Sequence, residues 1–274
     1  MCEHYRLSIT DDAIKAYWKS DTDIAGALFF KAQCASNDYY TSHNLGVFLL
    51  YEHVIPLSKI SDDMQDDKKT AMDWLLIAEK HIPHREKNVL ALAMCYYYRK
   101  AFMKSIDILT SIYPAHLLDA FAWMKAINYM ALHYYQKAID LLRENIHSEA
   151  IYAYWALYAT IQCKYLMHET IHDVVQKFRI CIRDLRTMVP DASLYEEMLM
   201  YGIPVLILFG CREDQNWIKS NHYDHIISDA ANQALSLPDQ RNQSLLIKEF
   251  LSADLSAVIL PDLFEKRPEK RLEK

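Results

Sequence analysis

The sequence predicts an all-α protein built from repeated helical hairpins. The chain has 274 residues but four glycines and eight prolines. A β-sandwich or a nucleotide-binding α/β fold needs more glycine in its turns, whereas helix interiors disfavour both residues. Apolar residues make up 52% of the chain and recur three and four positions apart, the spacing of a helix face. We therefore expect a right-handed solenoid of antiparallel hairpins that ends in a divergent C-terminal helical cap.

A pattern that recurs about every 33 to 34 residues indicates the repeat. The clearest copy runs from Ala120 to Asn145 and has the small residue Ala138 in its second helix. Ser105 stands 33 positions earlier, and Ala71 stands a further 34 positions before it. A period of this length is typical of stacked helical hairpins, a class of protein that usually binds other proteins.

Periodicity and punctuation predict four helices in the first third of the chain, at 11–19, 23–34, 40–55 and 70–82. Asp11-Asp12 caps the first helix, and Pro56 and Pro83 end the third and fourth. The polar, acidic stretch 58–69 predicts an enlarged loop inside one hairpin.

Six consecutive helices are predicted in the middle of the chain, at 86–99, 102–112, 116–132, 135–145, 149–165 and 169–188. Short joints at Lys100, His133 and Met167 should force neighbouring helices to run antiparallel. Pro190 closes this array, so residues 1–190 are predicted to form the repeat domain.

The period is lost beyond residue 190. Helices are predicted at 191–210, 214–236 and 240–259. Gly202-Ile203-Pro204 predicts a kink or break in the first of them. We expect residues 191–262 to cap the array or fill its groove, and residues 263–274 to form a charged, flexible tail.

Small residues recur where paired helices would touch, with Ala93 and Ala126 in first helices and Ser105 and Ala138 in second helices. With these residues the stretch 23–188 resembles the tetratricopeptide (TPR) repeat, in which small side chains let the two helices approach. The N-terminal part is similar to the related Sel-type repeat, in which a longer loop separates the helices. Asn44-Leu45-Gly46, the acidic loop and then Ala71-Met72-Asp73-Trp74 follow that order.

The resemblance implies that the first helix of each hairpin lines a concave face. The residues placed there are Tyr40, His43, Val47, Leu50, Leu90, Met94, Tyr97, Trp123, Ile127, Met130, Tyr152, Trp155, Ala159 and Gln162. TPR proteins that clamp acidic tails use Lys, Arg and Asn on this face, and those residues are scarce here. The resemblance therefore implies an apolar ligand: an amphipathic helix, an extended peptide, a second copy of the chain, or its own C-terminal segment. The alternative is that the stripe is ordinary core, buried by the helices after Pro190.

Charge and cysteine content narrow the partners and the compartment. The formal charge of −6 and a pI near 6.0 argue against nucleic acid, which needs a concentrated basic face. The six cysteines stand far apart and are predicted to be reduced core thiols. Residues 1–6 lack the apolar core of a signal peptide, and no apolar run reaches the ~18 residues of a membrane span. We expect a cytoplasmic protein with no membrane partner and no cofactor.

His168-Glu169-Thr170-Ile171-His172 fits the HExxH motif of zinc hydrolases. Histidines four apart on a helix can chelate zinc, and the glutamate can act as a general base. Glu196 or Glu197 could supply a third ligand. The match falls at a hairpin joint, however, which favours an exposed first turn of a helix over a metal site.

Two further polar patterns have a functional and a plainer interpretation. His222 and His225, three apart, could chelate a metal, but a polar helix face is the simpler interpretation. Arg179, Arg183 and Arg186 line one side of a predicted helix and could hold an acidic partner, or could be a solvated face.

These patterns predict a non-catalytic scaffold or adaptor that binds a protein or peptide through its concave apolar and aromatic face. Three alternatives stay open. They are a zinc hydrolase that uses His168, Glu169 and His172, a regulatory sensor whose peptide ligand loosens the C-terminal segment, and a structural homo-oligomer.

Overall fold

The computed structural model describes residues 2–54, 70–114, 116–145, 150–253, 255 and 262–266. All regular elements in these ranges are helical, which confirms the all-α class. The chain divides into two compact units, an N-terminal unit of Met1–Met124 with Leu260–Lys274 and a C-terminal unit of Lys125–Ile259. This division does not coincide with the predicted boundary at 190, because the helices before and after Pro190 pack together in one unit. The predicted loop at 58–69 lies outside the described residues.

Consecutive helices pack against each other in the N-terminal unit. Its helices are α1 (Cys2–Trp18), α2 (Thr22–Ala35), α3 (Tyr39–Val54), α4 (Ala71–His81), α5 (Glu86–Tyr98), α6 (Phe102–Thr110) and the first part of α7 (Leu118–Ala131). The first helix begins at residue 2 and not at 11, so Asp11 and Asp12 are not its cap.

Small residues stand at two helix contacts of this unit. A Cβ atom on Gly46 would lie 2.7 Å from Leu75 Cγ, so α3 and α4 can approach as they do only with glycine there. Between α5 and α6, the buried hydroxyl of Ser105 donates a 2.8 Å hydrogen bond to the carbonyl of Ala93. Both members of this pair were predicted as small contact residues.

One type of turn recurs at the ends of three helices in the middle of the chain. Lys100, His133 and His168, spaced 33 and 35 positions apart, have φ values of 58°, 62° and 58°. In each turn this residue donates to the carbonyl three positions back, and the next residue donates to the carbonyl five positions before itself. Helices commonly end with this pair of hydrogen bonds. The third joint is therefore at His168, one residue after the predicted Met167.

The C-terminal unit contains the rest of α7 and the helices that follow it. They are α8 (Tyr135–Asn145), α9 (Ala150–Leu166), α10 (His172–Met188), α11 (Ala192–Phe209), α12 (Arg212–Ser220), a single 3-10 turn (Tyr223–His225), α13 (Asp229–Ser236) and α14 (Gln240–Ser252). The predicted helix 214–236 is wrong, because the chain leaves α12 at Asn221 and His222 takes a positive φ of 55°.

At Gly202-Ile203-Pro204, where a kink or break was predicted, α11 continues through Pro204 without a break. Because proline has no amide hydrogen, the carbonyl of Met200, four positions earlier, loses its helical hydrogen bond. Met200 is exposed to solvent. Gly202 serves packing here. A Cβ atom on it would lie 2.4 Å from Tyr154 Oη and 2.5 Å from Ile182 Cδ1.

Among the described helices, α11 alone has the length and apolar composition to cross a membrane, and half of it is buried in the protein. Its Tyr201 ring contacts Trp155 of α9, and its Met198 carbonyl accepts a hydrogen bond from the Tyr154 hydroxyl. These contacts are those of a core helix.

The arginine stripe of α10 serves the interior of the C-terminal unit. Asp214 of α12 is fully buried, and its Oδ1 atom lies 2.9 Å from both Arg179 Nε and Arg183 Nη2. Its other oxygen accepts a 2.9 Å hydrogen bond from the amide of Cys211. Arg186 lies over the ring of Tyr195, 5.5 Å from the centroid. The acidic group bound by two of these arginines is thus in the same chain.

We expect Asp214→Ala to destabilise the C-terminal unit by about 3–5 kcal/mol, because it leaves two arginines beside an empty buried site. Urea unfolding followed by circular dichroism measures the loss. Asp184→Ala, at an exposed position of α10, is the matched control and should change stability by less than about 0.5 kcal/mol. Equal effects of the two substitutions would contradict a structural role for the ion pairs.

Candidate functional site

Residues 262–266, which we call the C-terminal segment, lie on the helices of the N-terminal unit without helical structure of their own. Leu263 is 0% exposed and Phe264 is 3% exposed, although charged residues surround them in sequence. The prediction that a flexible tail begins at 263 is therefore wrong for 263–266, because two apolar side chains are buried. Residues 267–274 lie outside the described residues.

Aromatic side chains from three helices surround the ring of Phe264. Phe29 of α2 stacks on it at 5.4 Å between centroids with an interplanar angle of 11°. Edge contacts come from Tyr17 and Trp18 at the end of α1 and from Tyr51 of α3, at 5.2, 6.1 and 5.6 Å. Burial of a phenylalanine ring contributes about 1.5–3 kcal/mol, and well-placed aromatic pairs add about 0.5–1.5 kcal/mol.

Asn44 holds the backbone of the segment from both sides of one residue. Its Nδ2 donates to the Glu265 carbonyl at 2.7 Å, and its Oδ1 accepts from the Glu265 amide at 2.8 Å. Asn44 is fully buried in α3. These two bonds recognise a peptide backbone whatever its side chain.

The two residues before Glu265 are held in the same way. Leu263 donates its amide to the Tyr51 hydroxyl at 3.2 Å, and its carbonyl oxygen lies 2.8 Å from His43 Nε2. Lys87 of α5 donates to the carbonyl of Phe264 at 2.7 Å. Three successive carbonyl oxygens of the segment therefore face side-chain nitrogen atoms, which belong to His43, Lys87 and Asn44.

The side chain of Glu265 has its own partner. The hydroxyl of Tyr39 donates to Glu265 Oε1 at 2.9 Å, and the guanidinium of Arg85 lies over the Tyr39 ring, 5.9 Å from its centroid. Burial, and next the charge of Glu265, raise the pKa of Tyr39, so its hydroxyl stays protonated and remains a donor.

The position of α3 explains how one helix supplies most of these groups. Asp38 caps the helix by accepting a 3.1 Å hydrogen bond from the Thr41 amide. Tyr39, His43, Asn44 and Tyr51 then fall on one side of the helix, within an arc of about 140° at 3.6 residues per turn. We call these four residues with Phe29 and Lys87 the N-terminal groove.

His43 is fully buried between the segment and Asn88 of α5. Its Nδ1 lies 3.0 Å from Asn88 Oδ1, while Asn88 Nδ2 donates to the Leu75 carbonyl at 3.2 Å and to Glu79 Oε2 at 2.8 Å. Both ring nitrogens therefore face oxygen atoms. Burial is the largest influence and lowers the pKa of His43; Lys87 also lowers it, and the hydrogen bonds to Leu263 and Asn88 and the charge of Glu265 raise it.

Part of this groove was predicted from the sequence. His43 belongs to the predicted set, whereas Tyr39, Asn44 and Tyr51 each lie one position from a predicted residue. The predicted residues Tyr40, Val47 and Leu50 fall within the same arc of α3, at 3.6 residues per turn. Asn44 and Lys87 carry side-chain hydrogen-bond donors beside the predicted apolar stripe, and this was a signal that could have located them.

The other residues predicted for the concave face are largely buried. Buried are Val47, Leu50, Leu90, Met94, Trp123, Ile127, Trp155, Ala159 and Gln162; half-buried are Tyr40, Tyr97, Met130 and Tyr152. In the C-terminal unit, Trp155 contacts Tyr201 of α11, and Gln162 donates to the Phe250 carbonyl of α14 at 2.6 Å. These two residues therefore belong to the ordinary core that the helices after Pro190 cover, which was the alternative interpretation.

The HExxH match does not lie on one helix. His168 occupies the turn after α9, and α10 begins only at His172. Glu169 Oε2 lies 2.9 Å from Lys164 Nζ, and His172 Nε2 lies 2.8 Å from Gln176 Nε2. Because histidines four apart share a face only where the whole interval is helical, the spacing argument for zinc does not apply.

The described residues contain no group of three or more His, Cys, Asp or Glu side chains arranged for a metal ion. Glu196 and Glu197 therefore join no such group. His222 and His225 are not on a helix face as predicted, since His222 precedes the 3-10 turn, His225 is its last residue, and His225 Nδ1 lies 2.8 Å from the His222 carbonyl.

No protein-family model matches the chain, and a search of curated proteins finds no relative. The functional interpretation therefore depends on the geometry of the N-terminal groove.

We expect Phe264→Ala to lower the stability of the N-terminal unit by about 3 kcal/mol, the low end for a buried phenylalanine, since the segment can detach and leave no cavity. Urea unfolding measures the loss. Phe30→Ala, on α2 beside Phe29 and 48% exposed, is the matched control and should cost below about 1 kcal/mol. A Phe264 effect as small as the control would show that the ring is not buried.

The lowered pKa of His43 predicts a pH dependence. In the unfolded chain a histidine has a pKa of about 6.5 and binds a proton below that pH, whereas burial disfavours the proton in the folded chain. The contribution of His43 to the free energy of unfolding is therefore present above about pH 6.5 and is lost as the pH falls below it. We expect the stability of the wild type relative to His43→Gln, which can still donate to Leu263, to fall between about pH 7.5 and 5.5. Urea unfolding at several pH values tests this. A relative stability that grows in acid would show that the two facing oxygens keep the ring protonated.

Proposed function

We propose that the N-terminal unit is a peptide-binding module and that the chain acts, without catalysis, as an adaptor or scaffold. The observation that carries this proposal is the pair of hydrogen bonds from Asn44 to the backbone of Glu265. A fully buried side-chain amide is costly unless both its donor and its acceptor are used. Here their partner is a peptide backbone that approaches from a distant part of the chain.

The aromatic pocket for Phe264 supports the same proposal. Backbone contacts supply affinity for any peptide, and pockets for particular side chains supply specificity; known peptide-binding proteins combine the two. The N-terminal groove has both kinds of contact within a few residues. Its ligand in this chain is the C-terminal segment, one of the ligands that the sequence analysis left open.

We further propose that the chain is a right-handed solenoid of antiparallel TPR-like and Sel-like hairpins. The recurring turn at Lys100, His133 and His168 supports this, and so does the contact between Ser105 and Ala93. The proposed location is the cytoplasm. The described cysteines are free, and burial raises the pKa of Cys95 and Cys163 to about 12, as suits inert core thiols.

The test measures the binding of a fluorescent peptide of residues 260–268 to the full chain with Phe264→Ala. This substitution weakens the docking of the chain's own segment and should leave the groove open. We expect saturable binding with a Kd on the order of 10 μM by fluorescence anisotropy. The wild-type chain should bind about 100-fold more weakly, since its own segment competes at an effective concentration of about 1 mM.

Two controls keep the result specific. A peptide of scrambled order should not bind, and a peptide N-methylated at the amide of the Glu265 position should bind at least about tenfold more weakly, because it cannot donate to Asn44. If the Phe264→Ala chain keeps its helical circular dichroism but binds no peptide at about 1 mM, the proposed function is wrong.

A further inference from the structure

We propose that the N-terminal groove accepts a segment of another protein with the pattern Asp/Asn-Leu-Phe-acidic, and that the C-terminal segment occupies the groove until such a partner displaces it. This inference rests on the proposed peptide-binding function and adds the residues that the ligand must carry. Each position of the pattern follows from a separate contact of Asp262, Leu263, Phe264 and Glu265.

The two central positions are apolar because their side chains are removed from water. Leu263 is fully buried, and the Phe264 ring lies between Phe29, Tyr17 and Tyr51. A polar side chain in either place would lose its hydrogen bonds to water, and the surrounding ring faces would not replace them. An aromatic residue suits the second position best, because flat rings line it.

The last position is acidic because its carboxylate meets a hydrogen-bond donor on a basic surface. Tyr39 donates to Glu265 Oε1, Arg85 lies over the Tyr39 ring, and Lys87 binds the neighbouring carbonyl. A lysine in this place could not accept the hydrogen bond that the Tyr39 hydroxyl donates. The pattern therefore excludes a basic residue after the phenylalanine.

The first position is Asp or Asn for a local reason. Asp262 is exposed, and its Oδ1 accepts a 3.1 Å hydrogen bond from the amide of Phe264. Such a turn, in which an Asp side chain bonds the amide two residues later, fixes the peptide before it binds. Asn can replace Asp here with little loss, whereas Ala cannot.

The occupant that we infer is a partner protein and not a second copy of the chain. Because the C-terminal segment is tethered, it competes at about 1 mM, and an identical segment on a second copy could match it only near that concentration. A partner can do better by filling space that the resident segment leaves. A cavity of about 350 Å³ that the segment does not fill lies between its residues Asp262, Phe264, Glu265 and Lys266 and the helix residues Ile14 and Lys87.

The test is a substitution scan of the 260–268 peptide, by competition on the full Phe264→Ala chain. Ala at the Phe264 position should weaken binding about 100-fold, Ala at the Leu263 position about 30-fold, and Lys at the Glu265 position at least about tenfold. Asn at the Asp262 position should bind within about twofold of the parent, and Ala there about threefold more weakly. Sedimentation of the wild-type chain from about 1 μM to about 1 mM completes the test and should give one constant mass.

The outcomes separate this inference from the proposed function. The predicted order of losses with a constant mass supports the inference. Binding that tolerates Lys at the Glu265 position or Ala at the Leu263 position overturns it and leaves the peptide-binding function intact. A wild-type dimer that forms with concentration and is lost in Phe264→Ala makes a second copy the occupant and also overturns it. If the parent peptide does not bind at all, the proposed function itself fails.

Discussion

The hydrogen-bond pair between Asn44 and the backbone of Glu265 is the interaction on which the N-terminal unit depends. A buried amide requires a partner for its donor and its acceptor, and the backbone of Glu265 supplies both to Asn44. Once Glu265 is held there, Phe264 reaches the rings of α1, α2 and α3, and Leu263 reaches His43 and Tyr51. The groove and the segment therefore complete each other, and the segment belongs to the folded unit although it stands far from it in sequence.

The local design of the chain was predictable because it follows from short-range rules. Few glycines and prolines and a period near 33 residues indicated helical hairpins, and the turns at Lys100 and His133 lie where the joints were predicted. Ser105 and Ala93 meet as small residues should. The same rules failed at Pro204, because tertiary packing around Gly202 overrides the tendency of proline to end a helix. They also failed at His222, whose positive φ has no marker such as glycine.

The site was only partly predictable, because it joins residues more than two hundred positions apart. His43 was in the predicted set, whereas Tyr39, Asn44 and Tyr51, which share its side of α3, were not. The segment was also missed because Leu263 and Phe264 stand in a run of charged residues, and such a run predicts a frayed tail. An apolar pair isolated in such a run is the sequence signal to follow. The arginines of α10 show the opposite error, because their acidic partner is Asp214 of the same chain.

Amide hydrogen exchange of the intact wild-type chain, followed by NMR at Leu263 and Glu265, tests the central claim most directly. The Leu263 amide donates to Tyr51 and the Glu265 amide donates to Asn44. If the segment occupies the groove, both amides exchange at least about 100-fold more slowly than in a free peptide of the same sequence, which corresponds to about 2.7 kcal/mol of docking. Exchange of both amides at the rate of the free peptide would contradict the account, because the groove would then be open and the segment unbound.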